Sequence, residues 1–368
     1  MAPKIMAPKM INLALQGGGS HGAYTWGILD RLLEEKDIEI HGVSGTSAGA
    51  MNAVVLSDGF RKGGREGAKE SLHNFWEEIS AMSAFMNPNH QTFAEHVAEG
   101  WNIDKSFGYQ WFEALTRMFS PYQLNPLNIN PLRNLLAKII DWDNINGGGK
   151  IPVFITATSV TTGRPRVFRC HEINEDVLLA SACLPLLYQS VQIDGEPYWD
   201  GGYMGNPSIW PLIYHTDVSD VLLLQINPLV RNGTPKTSHE IMNRMNEITF
   251  NSSLIAEMRA INFVAELVEH HKLDENEYRK IHMHMINAPA ESYGLNASSK
   301  VNTDWTFLQF LHGIGREKAD AWIALYKGEI GRKSSLNINE EFLSLHPAEE
   351  AANQRALQKQ QKRKTAKK

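Results

Sequence analysis

Apolar residues recur along this chain with two periods. Ile11-Asn12-Leu13-Ala14-Leu15-Gln16 is a short apolar run ending in Gly17-Gly18-Gly19, after which Ala23, Trp26, Gly27, Leu29, Leu32 and Leu33 return at helical spacing. The pattern predicts a strand, a glycine loop and a helix. Glu39-Ile40-His41-Gly42-Val43-Ser44 predicts a second strand, and Gly45-Thr46-Ser47-Ala48-Gly49 opens a second helix. Two parallel strands joined by one helix make a βαβ unit.

Residues 67–140 predict mostly helices, broken by Pro88, Pro121, Pro126 and Pro131, with aromatics Trp101, Phe107, Tyr109, Trp111 and Phe119 set for exposure. They suggest a helical cap inserted near a site. Residues 151–159 and 167–169 are β-rich, residues 189–193 and 197–199 flank an Asp194-Gly195 turn, and residues 218–226 form a buried-type strand. A long amphipathic helix over 238–271, a strand over 281–286 and a closing helix over 304–327 complete a domain expected to span 10–335. Residues 336–368 turn polar and are expected to form a flexible tail.

At 368 residues with 42% hydrophobic and 21% charged side chains, the chain has the make-up of an ordinary globular enzyme. Residues 353–368 hold seven Lys or Arg and no acid, so the net −5 conceals a body near −12. Nucleic acid is a poor partner for that body. The tail is a solubilising terminus or, alternatively, a peripheral contact with an anionic membrane.

Cys170 and Cys183 offer no disulfide framework, which fits a reducing cytoplasm. The start, with Met-Ala-Pro-Lys repeated, is too polar and proline-broken for a signal peptide. The longest apolar stretch, residues 177–188, is interrupted by Ser181 and Pro185 and falls short of the ~20 residues needed to cross a bilayer.

Gly45-Thr46-Ser47-Ala48-Gly49 is a G-x-S-x-G, the pattern of a tight strand-to-helix turn that projects a serine hydroxyl from a sheet edge. The helix behind Ser47 brings partial positive charge to a developing anion. Backbone N–H groups of Gly17, Gly18 and Gly19 can converge in a nest free of side chains, as an oxyanion hole requires. The rival reading is a dinucleotide fingerprint, Gly17-x-Gly19-x-x-Gly22. It calls for an acid at the C-terminal end of the second strand, where the chain instead reads Val43-Ser44-Gly45. A serine also needs a proton acceptor, and Tyr198-Trp199-Asp200-Gly201-Gly202 offers an acid leaving a short strand.

These three motifs in this order, with Ala180-Ser181-Ala182-Cys183-Leu184-Pro185 before the last, resemble the patatin-like phospholipase family over roughly residues 11–230. The resemblance implies an α/β fold of three layers, with a mainly parallel sheet between helices and a helical cap. It implies a serine lipid acyl hydrolase acting on (phospho)lipid or other carboxylic esters. Ser47 and Asp200 would form a catalytic dyad, with the Gly17, Gly18 and Gly19 backbone as oxyanion hole and no metal or organic cofactor. Thr156-Ala157-Thr158-Ser159 with Thr162-Gly163-Arg164-Pro165 matches the family's mid-sheet strand and turn. The family's glycine loop commonly carries Arg or Lys where this chain has His21, a group titrating near neutrality. His21 is therefore a candidate substrate contact, with a packed or solvated first-turn residue as the alternative.

Two other functional classes compete. A Ser-Asp-His triad would recruit His215, His282, His284 or His312 as base. A non-catalytic lipid-binding scaffold would be expected to have lost Ser47 or Asp200. The pairs His270-His271 and His282-x-His284 lack a carboxylate or cysteine at zinc-site spacing, so a structural role is expected of them.

Overall fold

The computed structural model describes residues 8–86, 100–104, 106–148, 150–231, 233–274, 277–287 and 294–344. The first apolar run becomes strand β1 (Lys9–Leu15), buried on both faces from Ile11 onward, as the middle strand of a covered parallel sheet must be. It pairs in parallel with β2 (Ile38–Gly45). Beyond β2 the sheet continues with β3 (Val153–Ser159), which carries β4 (Pro165–Phe168) as an antiparallel partner. The hairpin of β5 (Val191–Ile193) and β6 (Glu196–Asp200) turns at Asp194-Gly195, and β6 runs antiparallel to β3. On the other side of β1 lie β7 (Asp220–Leu224) and β8 (His282–Ile286), both parallel to it. The order is β5-β6-β3-β2-β1-β7-β8.

The helices follow in chain order. α1 (Gly22–Leu32) and α2 (Ala48–Met86) come first, the latter broken by non-helical backbone at Gly63 and Gly64. Then come α3 (Phe107–Met118), α4 (Pro121–Leu124), α5 (Pro131–Ile139), α6 (Trp142–Asn146) and α7 (Glu175–Ser181). The C-terminal half supplies α8 (Trp210–His215), α9 (Ser238–Glu269) and α10 (Trp305–Tyr326).

Alternation along the strands divides the apolar residues between two cores. Leu13, Leu15, Val153, Ile155, Leu222 and Leu224 face one core, closed by α1, α2, α7 and α10. Ala14, Phe154, Val221 and Leu223 face the other, closed by α8 and α9. A mainly parallel sheet between two helical layers is the fold class expected. Among the described residues no helix is long and apolar enough to cross a membrane.

The first part of 67–140 continues α2, where Ala68, Leu72, Phe75 and Trp76 are buried in the first core. Pro121 and Pro131 open helices behind the N-caps Ser120 and Asn130, a position where the missing N–H costs nothing. At the other end, order does not stop at 335. Ile338 and Phe342 stand four residues apart around the turn Asn339–Leu343 and pack into the second core. Pro88 and the basic stretch 353–368 lie outside the described residues.

Candidate active site

Strand register alone brings the two predicted site residues to one level. Gly45 pairs with Ile155 across β2 and β3, and Ala157, two residues further along β3, pairs with Asp200 on β6. Ser47 is two residues beyond Gly45. Ser47 therefore emerges at the C-terminal end of a parallel strand, where open α/β sheets present ligands, and Asp200 meets it from the antiparallel β6.

The elbow at Ser47 is held by close backbone approach. Ser47 sits at φ 54°, a left-handed conformation uncommon for a residue with a side chain. A Cβ at Gly45 would stand 2.5 Å from the Gly49 carbonyl oxygen, and one at Gly49 would stand 2.2 Å from that of Leu15. No larger residue fits either place. The Ser47 amide donates to Ser181 Oγ at 2.9 Å, and that hydroxyl donates to the Thr156 carbonyl at 2.7 Å. Ser181 thus ties the elbow to β3.

Asp200 is 3% exposed, and its Oδ1 accepts the Gly202 amide at 2.7 Å. Its neighbours explain the two glycines that follow. A Cβ at Gly201 would stand 2.0 Å from the Thr156 carbonyl oxygen, and one at Gly202 2.5 Å from the Phe250 ring. Burial pushes the Asp200 carboxyl up to about 7, against the opposing pull of the Gly202 amide, a hydrogen bond from Ser47 and the charge of Lys300. A carboxyl titrating there is a competent proton acceptor near neutral pH.

The glycine loop lies directly against the elbow, for a Cβ at Gly17 would stand 2.7 Å from that of Ser47. Its three amides are not equivalent. Gly17 N–H is committed to Asn206 Oδ1 at 2.7 Å, which removes it from the expected oxyanion set. Among the described residues the Gly18 and Gly19 amides have no protein acceptor, and both residues face the cavity. Gln16 fixes the loop from behind: its Oε1 accepts the Ile226 and Asn227 amides at 2.8 Å, and its Nε2 donates to Asn206 O and Asn251 Oδ1 at 3.1 Å.

A cavity of about 440 Å³ opens over these groups. Its polar end holds Ser47, Asp200, Asn206, the glycine loop and Lys300, while Met51, Phe75, Trp76, Ile79 and Leu179 line an apolar flank. Asn130, Pro131 and Leu132, at the start of α5, border it. Cys183, buried nearby, has its thiol pushed up to about 12 by burial and by Asp200, which leaves it inert as a nucleophile.

His21 is not among the residues lining the cavity. It is 4% exposed, edge-on to Phe307, with Nε2 2.8 Å from Ser299 Oγ. Ser299 donates its own proton to Asn296 O, so His21 Nε2 is the donor. Burial, with Lys300 and then Arg231 adding to it, pushes the imidazole down to about 3. It is neutral near pH 7 and packed.

The histidines considered for a triad lie elsewhere. His215 stacks on Phe154, and His312 packs 4.0 Å from Trp26 with Asp30 3.3 Å away. His282 and His284 bracket Asp220 at 3.5 and 3.0 Å. The fully buried His284 bridges Asp220 to Ser335 Oγ (2.8 Å), a Ser-His-Asp string remote from the cavity that ties the C-terminal segment to β7 and β8.

A family model described as Patatin-like phospholipase matches residues 13–213, a span that contains the glycine loop, the elbow and Asp200. The chain belongs to the patatin-like phospholipase family. That membership supports lipid hydrolase activity. Among solved structures it is similar to VipD from Legionella pneumophila, at 14% identity and TM-score 0.30, over 84% of this chain and 68% of that one. It is similar also to full-length ExoU of Pseudomonas aeruginosa in complex with SpcU, at 14% identity and TM-score 0.30, over 96% of this chain and 62% of that one. The chain therefore spans under two thirds of ExoU. No curated protein matches the sequence.

Asn206, Gln16, Ser181 and Lys300 were missed as site residues in the sequence. Gln16 left a trace there as a polar residue ending an apolar strand, and Ser181 as part of the 180–185 stretch before the Asp200 motif, with no role assigned to either.

Proposed function

We propose that this family member hydrolyses carboxylic esters of phospholipids or related lipids through a Ser47–Asp200 dyad. The observation that carries the reading is a buried carboxyl, pushed up to about 7, hydrogen-bonded to an elbow serine at the polar end of an apolar cavity.

In this scheme Ser47 Oγ bonds to the ester carbonyl carbon while its proton passes to Asp200. The carbonyl π-pair moves onto oxygen, where the Gly18 and Gly19 amides and the N-terminus of α2 receive the charge. Collapse expels the alcohol, which leaves with the proton from Asp200, and an acyl ester stays on Ser47. Water then attacks, giving its proton to Asp200. The fatty acid departs and Ser47 recovers its hydrogen. The protein's own groups balance both halves. The apolar flank would hold the acyl chain, and its burial would position the ester over Ser47.

The test is fatty-acid release from a phospholipid by wild type, Ser47→Ala and Asp200→Asn. Both variants are expected to lose about 10³-fold or more in kcat, as loss of a nucleophile or its base does. Near-full activity in Asp200→Asn would refute the dyad.

A further inference from the structure

The cavity contains a cation that the dyad scheme does not use. Among the described residues lining it, Lys300 is the only cation and Asp200 the only acid. Lys300 lies beyond the family-matched span, on the turn Ser298–Val301, which is packed against the glycine loop: a Cβ at Gly19 would stand 2.3 Å from the Lys300 carbonyl oxygen.

The ammonium is built into the site rather than solvated on a surface. Lys300 Nζ donates to Asn227 Oδ1 at 2.6 Å, and Asn227 Nδ2 donates in turn to the Gly17 carbonyl at 2.8 Å. Lys300 is therefore linked to the loop through one side chain. Among the described residues no carboxylate pairs with it. The acidic side chains whose charge bears on it are Glu247, which is engaged by Arg231 at 2.8 Å and Arg244 at 3.1 Å, and Asp200, committed to Gly202 and Ser47. An ammonium offers three donors, and Asn227 takes one. A lysine deep in the fold, partly accessible where the cavity reaches it and without a paired anion, is costly unless a ligand supplies the anion.

We propose that Lys300 is the substrate-selecting cation of this site, binding the phosphodiester of a phospholipid whose acyl ester lies over Ser47. The inference rests on the Ser47–Asp200 reading and narrows its substrate class from lipid esters in general to phosphate-bearing ones. His21, the other basic residue on the loop side, is packed and neutral and does not share the task. Five titratable or charged groups set the state of this region: Asp200, Glu247, Arg231, His21 and Lys300 itself. Burial and Arg231 push the Lys300 ammonium down to about 8, against Glu247 and Asp200. Its hold on a phosphate should therefore fade as pH passes that value.

The experiment compares kcat/KM for a water-soluble short-chain phosphatidylglycerol with that for the p-nitrophenyl ester of the same acid. It uses the full chain as wild type, Lys300→Met and Lys300→Gln, the last keeping a donor for Asn227. Fluorophosphonate labelling of Ser47 checks that each variant retains its elbow. Loss of a charge-assisted contact predicts that the phospholipid-to-neutral-ester ratio falls about 30-fold in both variants, mostly through KM. The decline of the phospholipid rate above pH 8 should disappear with it. An unchanged ratio, with both substrates slowed alike through kcat, would overturn the proposal in favour of a lysine that only tunes Asp200. Wild type that turns over neither ester and takes no label would instead sink the dyad reading, and this proposal with it.

Discussion

The backbone amide of Ser47 donates a hydrogen bond to Ser181 Oγ, and the Ser181 hydroxyl donates one in turn to the carbonyl of Thr156. One buried hydroxyl thus fixes the elbow against the strand that pairs with Asp200. Ser181→Ala should leave the Ser47 amide and the Thr156 carbonyl unpaired, lowering stability by about 1–3 kcal/mol. It should reduce kcat more than it raises KM. Urea denaturation and steady-state kinetics on a soluble ester measure the two effects.

The pH profile follows from Asp200. The base must be ionised, so kcat/KM for a neutral ester should rise through pH 7. Stability runs the opposite way: the folded-state pKa is raised from 3.8 to about 7, so this contribution is fully present below 3.8 and is lost as pH rises through 7. Holding the buried carboxylate ionised costs up to about 4 kcal/mol. Asp200→Asn should therefore be more stable than wild type at pH 8, with the advantage shrinking toward pH 5. Urea midpoints at the two pH values check the sign.

The Ser335–His284–Asp220 string looks like a triad and should behave as a strut. Asp220 is held well below the usual carboxylate range by His282, His284 and the Gly331 amide, which outweigh its burial. Its stabilisation is thus present above pH 3.8 and lost as pH falls below it. Asp220→Ala should lower stability by about 3 kcal/mol or more, since it strands a fully buried histidine. Turnover per folded, fluorophosphonate-titrated site should stay within twofold of wild type.

The segment from α3 to α5, whose Asn130, Pro131 and Leu132 border the cavity, exposes Trp111, Met118, Leu127 and Ile129, each at least 60% accessible. If that apolar surface meets the lipid, Leu127→Asp with Ile129→Asp should slow hydrolysis of phospholipid vesicles about 10-fold. The rate on a monomeric ester should hold. Parallel assays of the two substrates distinguish an interfacial effect from a folding defect.

Much of this arrangement was legible in sequence. β1 and β2 announced themselves as apolar runs stopped by glycines, and Gly45 and Gly49 marked the elbow because backbone carbonyls there exclude a Cβ. Asp200 was legible as an acid leaving a strand into Gly201-Gly202. What escaped depends on distant partners. Asn206 reaches Gly17 across 189 positions and Lys300 reaches Asn227 across 73, and neither carries a local pattern. The commitment of the Gly17 amide was hidden for the same reason. The burial of Ala68, Leu72, Phe75 and Trp76 in the first core was not legible because helical period does not reveal which body a helix packs on. Ile338 and Phe342 went unread as core because two apolar residues in a polar stretch make no period.

The claim on which the rest depends is that Ser47 is a nucleophile activated by Asp200. The direct measurement is reaction of the full chain with a fluorophosphonate, followed by peptide mass mapping, for wild type, Asp200→Asn and Ser47→Ala. A single adduct on Ser47 in wild type, formed at least about 100-fold more slowly in Asp200→Asn and absent in Ser47→Ala, is the predicted result. An adduct on another residue, or labelling of Ser47 at an unchanged rate without Asp200, would contradict it.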